Sequence, residues 1–117
     1  MKYLLLAYQS DEDLRREAEE GVTMQDYVDY AHRIHANGNY VAGEALEPTS
    51  RAITVRVRNG KTLTTDGPFA ETKEQLGGFL LIEAQDLDEA LRIAADFPGS
   101  RYGSVEVRPI LPTPPPE

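Results

Sequence analysis

A chain of 117 residues with 40% hydrophobic and 27% charged residues has the size and composition of one globular domain, too ordered for a disordered chain and too short for two cores. Twelve Lys and Arg against 20 Asp and Glu leave a formal charge of -8, which argues against nucleic acid or an anionic membrane as a partner. The absence of cysteine excludes disulfides, thiolate catalysis, iron–sulfur clusters and Cys-ligated zinc.

Residues 2–8 read as a strand, apolar on both faces and stopped by Ser10-Asp11. The apolar run ends too early for a signal peptide or a membrane span, so a cytoplasmic protein with no membrane partner is expected. Ser10 caps a short charged helix, with Asp13 as its box partner and Leu14 and Ala18 as its only apolar residues before Gly21. Thr23 caps a longer helix over 24–37, whose stripe is Met24, Tyr27, Val28, Ala31, Ile34 and His35, and Asn37-Gly38 ends it.

A strand follows over 39–46. Then Ala52–Arg58 alternates Ile53, Val55 and Val57 against Thr54, Arg56 and Arg58, and Asn59-Gly60 turns the chain into a second strand. Residues 66–76 read as a loop, and Gly77-Gly78 opens a strand through 79–83. Asp86 and Glu89 box a second long helix with Leu87, Ala90, Leu91 and Ala94 on its stripe. A last strand spans 103–109, and the four prolines between 112 and 116 place residues 111–117 outside the domain, which occupies 1–110.

The order is that of a ferredoxin-like α+β domain, βαββαβ with an added hairpin, with two long helices on one face of an antiparallel sheet. The other face of that sheet is left apolar and uncovered. A homodimer packed sheet on sheet is therefore expected.

The segment Asp66-Gly67-Pro68-Phe69-Ala70-Glu71-Thr72-Lys73 resembles the motif of DGPF-type proteins in the YCII-related family. So do Met1-Lys2-Tyr3-Leu4-Leu5-Leu6, Thr54–Lys61 and Gly103–Pro109. The resemblance runs over residues 1–110. It implies a dimeric α+β barrel of bacterial origin, with genes that often neighbour extracytoplasmic-function sigma factors, and no assigned reaction. The histidine of the His–Asp pair proposed in YCII proteins falls near Tyr27, so that pair does not carry over to this chain.

Asp66 has two readings. Before Gly67-Pro68 it forms an Asx-type turn; held on such a turn, it is also a pre-positioned base. His35, on the apolar stripe, is either a core histidine or a second catalytic group beside Asp66. Tyr27 offers a pocket hydroxyl, and Glu71 and Lys73 form a charged loop that either is solvated or meets a polar ligand. His32 and His35 lack a third ligand, so no metal is expected. No dinucleotide or phosphate-loop fingerprint suggests a cofactor. Two functions remain: a small-molecule-binding protein or small enzyme with a cleft near the Asp66 loop, or a non-catalytic regulator acting on a sigma factor.

Overall fold

The computed structural model describes residues 1–116. Its central strand β1 (Lys2–Gln9) pairs antiparallel with β5 (Gln75–Glu83) on one side and β6 (Ser104–Pro109) on the other. The short β2 (Tyr40–Ala45) closes the sheet against β5, giving the order β2-β5-β1-β6. With the hairpin set aside, this is the strand order of a ferredoxin-like fold, split by two helical crossovers. The hairpin strands β3 (Ile53–Arg58) and β4 (Lys61–Asp66) form a separate two-stranded sheet. Its turn is the one that Asn59-Gly60 demands: both residues have positive φ, 52° and 76°.

Alternation along β1 decides which residues enter the core. Tyr3, Leu5, Ala7 and Gln9 share one face with their cross-strand partners Ile82, Leu80 and Gly78 on β5 and Val107 and Val105 on β6. All three helices lie on this side: α1 (Asp11–Glu19), α2 (Met24–Ala36) and α3 (Leu87–Asp96). Tyr3, Leu5 and Ile82 from the sheet bury against Tyr30 and Ile34 from α2 and Ala90, Ile93 and Ala94 from α3. The Tyr30 hydroxyl donates to the Ile93 carbonyl at 2.6 Å and so ties the two long helices together. Leu4, Leu6, Leu81 and Phe79 occupy the opposite face, and no helix among the described residues covers it.

Several details depart from the pattern read in the sequence. The buried stripe of α2 runs through Tyr30 and Ile34, with Tyr27 and Ala31 half-buried. Met24, Val28 and His35, expected on that stripe, are exposed. Tyr30 is the most deeply buried large side chain on α2 and carries a hydroxyl with a partner on α3, and centring the helix on it rotates His35 outward. On α3 the buried residues are Ala90, Ile93 and Ala94, whereas Leu87 and Leu91 are exposed. The small residues Ala90 and Ala94 let the helix approach the sheet closely, and the two leucines flank that contact.

β5 begins at Gln75, inside the expected loop, with a bulge opposite Ala7/Tyr8 that restores the register. The Asp66 turn also differs. Gly67 N donates to Ala52 O at 2.7 Å and Thr54 Oγ1 donates to Gly67 O at 2.9 Å, so backbone and threonine close it and the Asp66 carboxylate takes no part. Phe69, expected to anchor this loop in the core, is 79% exposed, with the Arg56 guanidinium 5.5 Å from its ring centre.

The chain leaves β6 through Ile110 N, which donates to Lys2 O at 3.0 Å, and residues 110–116 form no helix or strand. Truncation after Leu111 is expected to leave the midpoint of thermal unfolding within a degree or two of the full chain, because no sheet or core contact is removed. A larger drop in a calorimetric scan would show that the prolines dock on the domain.

Candidate functional site

Between the sheet and the first two helices lies a cleft of about 580 Å³. Its walls are mostly apolar: Leu5 and Leu80 from the sheet, Leu14 from α1, Tyr30 from α2, and Phe97 at the end of α3. A volume of this size suits a small organic ligand. One corner is polar, and three elements build it.

Gln9 ends β1 at an odd position, so its side chain points to the helix side along with Leu5 and Ala7. Ser10 immediately starts α1. Its hydroxyl accepts from Asp13 N at 3.1 Å, and its own N–H donates to the Asp13 carboxylate at 2.9 Å. The bond from the Ser10 N–H, above all, holds the Asp13 carboxyl below its ordinary value, with Arg16 and Lys73 adding to it. The cap fixes where α1 begins and therefore which way it faces. Leu14, Glu17 and Ala18 then line the cleft. Glu17 is 5% exposed, a carboxylate turned inward on a helix that is otherwise almost entirely solvated.

Such burial is tolerable only if the carboxylate is hydrogen-bonded. Gln9 Nε2 donates to Glu17 Oε2 at 2.8 Å, and the Tyr27 hydroxyl donates to Glu17 Oε1. Gln9 Nε2 also lies 3.4 Å from the Tyr27 oxygen, so the three groups form one cluster. Burial first, and then the bond to Glu17 and its negative charge, push the Tyr27 phenol well above the ordinary tyrosine value. The phenol therefore stays protonated and a donor at neutral pH.

The cluster is held from behind. The Tyr27 ring meets Phe97 edge to face, with centroids 5.3 Å apart, and Phe97 meets Tyr30 in the same way at 5.5 Å. Gly99 leaves the room the cluster needs: a Cβ there would stand 2.8 Å from Gln9 Nε2 and 3.1 Å from the Tyr27 oxygen.

Of the residues singled out in the sequence, Tyr27 alone lies in this cleft. Asp66 ends β4, is exposed, and lines neither this cleft nor a shallower one of about 440 Å³ beside Tyr8 and Glu74. Glu71 and Lys73 are exposed and line neither. His35 is exposed at the far end of α2, its ring 5.9 Å from that of Tyr40. The structure thus brings neither His35 nor the charged loop to the cleft. Glu17 and Gln9 belong to no motif, yet each carries a signal in the sequence. Glu17 is three residues after Leu14 and beside Ala18, on the only apolar stripe α1 has; Gln9 continues the inward alternation of Leu5 and Ala7.

Known proteins share this architecture. The YCII-related domain matches this chain over residues 1–114. An uncharacterised protein of Rhizobium meliloti (strain 1021) is 41% identical over 116 residues, across 94% of this chain and 92% of its own. Among solved structures, the 5-chloro-2-hydroxyhydroquinone dehydrochlorinase TftG of Burkholderia phenoliruptrix AC1100, in complex with 2,5-dihydroxybenzoquinone, superposes with a TM-score of 0.56. It is 16% identical, with 95% of this chain and 94% of that one covered, and at that identity the likeness is one of fold. With its strand order, its helices on a single face and nearly its whole length accounted for, the chain belongs to the YCII-related family.

Proposed function

We propose that this protein binds a small hydroxylated ring compound in the cleft between sheet and helices and takes a proton from it at Glu17. The observation that carries this reading is the buried Glu17 carboxylate, held by Gln9 and Tyr27 at the one polar corner of an apolar cleft. A flat, largely apolar ring fits walls of leucine and aromatic side chains. A ring hydroxyl that reaches the corner meets an acceptor, the Glu17 carboxylate, which Gln9 and the Tyr27 hydroxyl already hold in place. The proton passes from the ligand O–H to a Glu17 oxygen. Gln9 and Tyr27 keep the carboxylate in place, and once Glu17 is neutral the Tyr27 O–H can turn from it to the charge left on the ligand oxygen. The fold relative that acts on a chlorinated hydroxyhydroquinone supports the ligand class by analogy of fold.

Calorimetric titration with hydroquinone and with 2-hydroxyhydroquinone tests the reading. The wild-type chain is expected to bind, and Glu17→Gln, which preserves shape and removes the charge, to weaken binding roughly 10- to 100-fold, as the loss of a charge-assisted hydrogen bond should. Equal binding by Glu17→Gln and wild type would refute the assignment. Gly99→Ala reports on the geometry separately. The added methyl must displace the Gln9 amide from Glu17, so this variant is expected to stay folded by circular dichroism and to lose at least about threefold in affinity. Unchanged affinity would mean that the Gln9 bond does not matter to the site.

A further inference from the structure

Charge around the cleft is distributed in one sense. Glu17 is the one carboxylate buried in it; Glu44, which also lines it, is exposed and stands opposite Phe79 in the register of the outer sheet face. Among the described residues, no Lys, Arg or His lines the cleft. The two groups bonded to Glu17, the Gln9 amide and the Tyr27 hydroxyl, are neutral donors, so neither brings a counter-charge.

The basic side chains are engaged elsewhere. On α1, Arg15 lies 3.8 Å from the Glu19 carboxylate, and the Arg16 guanidinium lies 5.5 Å from the centre of the Tyr102 ring. On α2, the Arg33 guanidinium lies 5.8 Å from the centre of the Tyr30 ring. Lys73 adds to the pull on Asp13. Arg51, Arg56, Arg58 and Lys61 sit on the β3–β4 hairpin or just before it, and the hairpin lines no part of the cleft.

The helix over the cleft adds to the imbalance. Residues 11–20 hold six acidic side chains against Arg15 and Arg16, a net of -4 and half of the chain's formal -8. Low-dielectric walls focus the field of such a segment into the cleft beneath it.

We infer that the cleft admits its ring only as an uncharged molecule and turns away rings that carry a carboxylate. This rests on the reading of the cleft as a site for hydroxylated rings and narrows their class. An anionic substituent would give up its water to walls of leucine and aromatic side chains, with no cation to pair with and a second carboxylate close by. An uncharged hydroxyl loses much less on the same transfer and gains Glu17 as an acceptor. The ring therefore arrives with its hydroxyl protonated, and the proton leaves it inside the cleft.

Titration calorimetry on the full chain near neutral pH tests this with three probes that share a 1,4-dihydroxylated ring: hydroquinone, 2,5-dihydroxybenzamide and 2,5-dihydroxybenzoate. The amide and the benzoate are alike in size and shape and differ in charge. The amide is expected to bind and the benzoate to bind roughly 10- to 100-fold more weakly, as two like charges about 6–10 Å apart require at an effective dielectric constant of about 20. The ratio of the two affinities is expected to shrink at least threefold in Glu17→Gln, which removes the charge, and in Met24→Lys, which adds a cation at a lining position that is 75% exposed. A benzoate that binds the wild type as tightly as the amide, or a ratio that neither variant shrinks, overturns this inference and leaves the ring site standing. Binding of hydroquinone with neither substituted ring bound also overturns it, because the cleft would then select by size. Failure of all three probes to bind overturns the ring reading together with it.

Discussion

A carboxylate under a helix, held by two donors from two other elements, is the constraint around which this molecule is arranged. Glu17 comes from α1, Gln9 from the end of β1 and the Tyr27 hydroxyl from α2. Leaving an unpartnered carboxylate buried would cost several kcal/mol, so each of the three elements is restrained by the need to satisfy it. The helix that carries it has little else to hold it, since Leu14 and Ala18 are its only apolar residues and both remain largely exposed. Its position depends on the Ser10–Asp13 box at one end and the Glu17 cluster in the middle.

The same cluster shapes the cleft. A wall of leucine and aromatic side chains binds ring compounds without orienting them, and a polar corner supplies direction. Because Tyr27 is locked against Phe97 and Gly99, the corner is preorganised: Gln9 and Tyr27 already point at the carboxylate before any ligand arrives. That arrangement keeps the acceptor charged and in one place, ready for a ligand O–H that enters the corner.

How much of this could be read in the sequence varied with the kind of signal. The strands, both long helices and the Asn59-Gly60 hairpin were legible because local patterns specify them: alternation, capping residues and a turn that requires positive φ. The DGPF segment gave the family. The facing of the helices was less legible. Met24, His35, Leu87 and Leu91 fit an apolar stripe at helical spacing, yet contacts distant in sequence, above all Tyr30 with Ile93, set the rotation of each helix. The site was the least legible part. The motif contains Asp66 and the charged loop, whereas the cleft is lined by a glutamate in a charged helix and a glutamine at a strand end. Their inward direction follows from register, and neither residue belongs to a recognisable motif.

The central claim is that Glu17 and Tyr27 are coupled in the folded chain, and the ionisation of Tyr27 tests it most directly. With the ring carbons of tyrosine labelled, the Tyr27 Cζ chemical shift can be followed by NMR as pH is raised, with Tyr27→Phe assigning the signal. Burial and the neighbouring carboxylate both disfavour the phenolate, so the account predicts that Tyr27 keeps its proton well beyond the ordinary tyrosine value of 10.0 in the wild type. In Glu17→Gln, where the negative charge is gone and burial remains, its titration should move down toward that value. A Tyr27 that titrates as an ordinary tyrosine in the wild type, or one that Glu17→Gln leaves unmoved, would contradict the account.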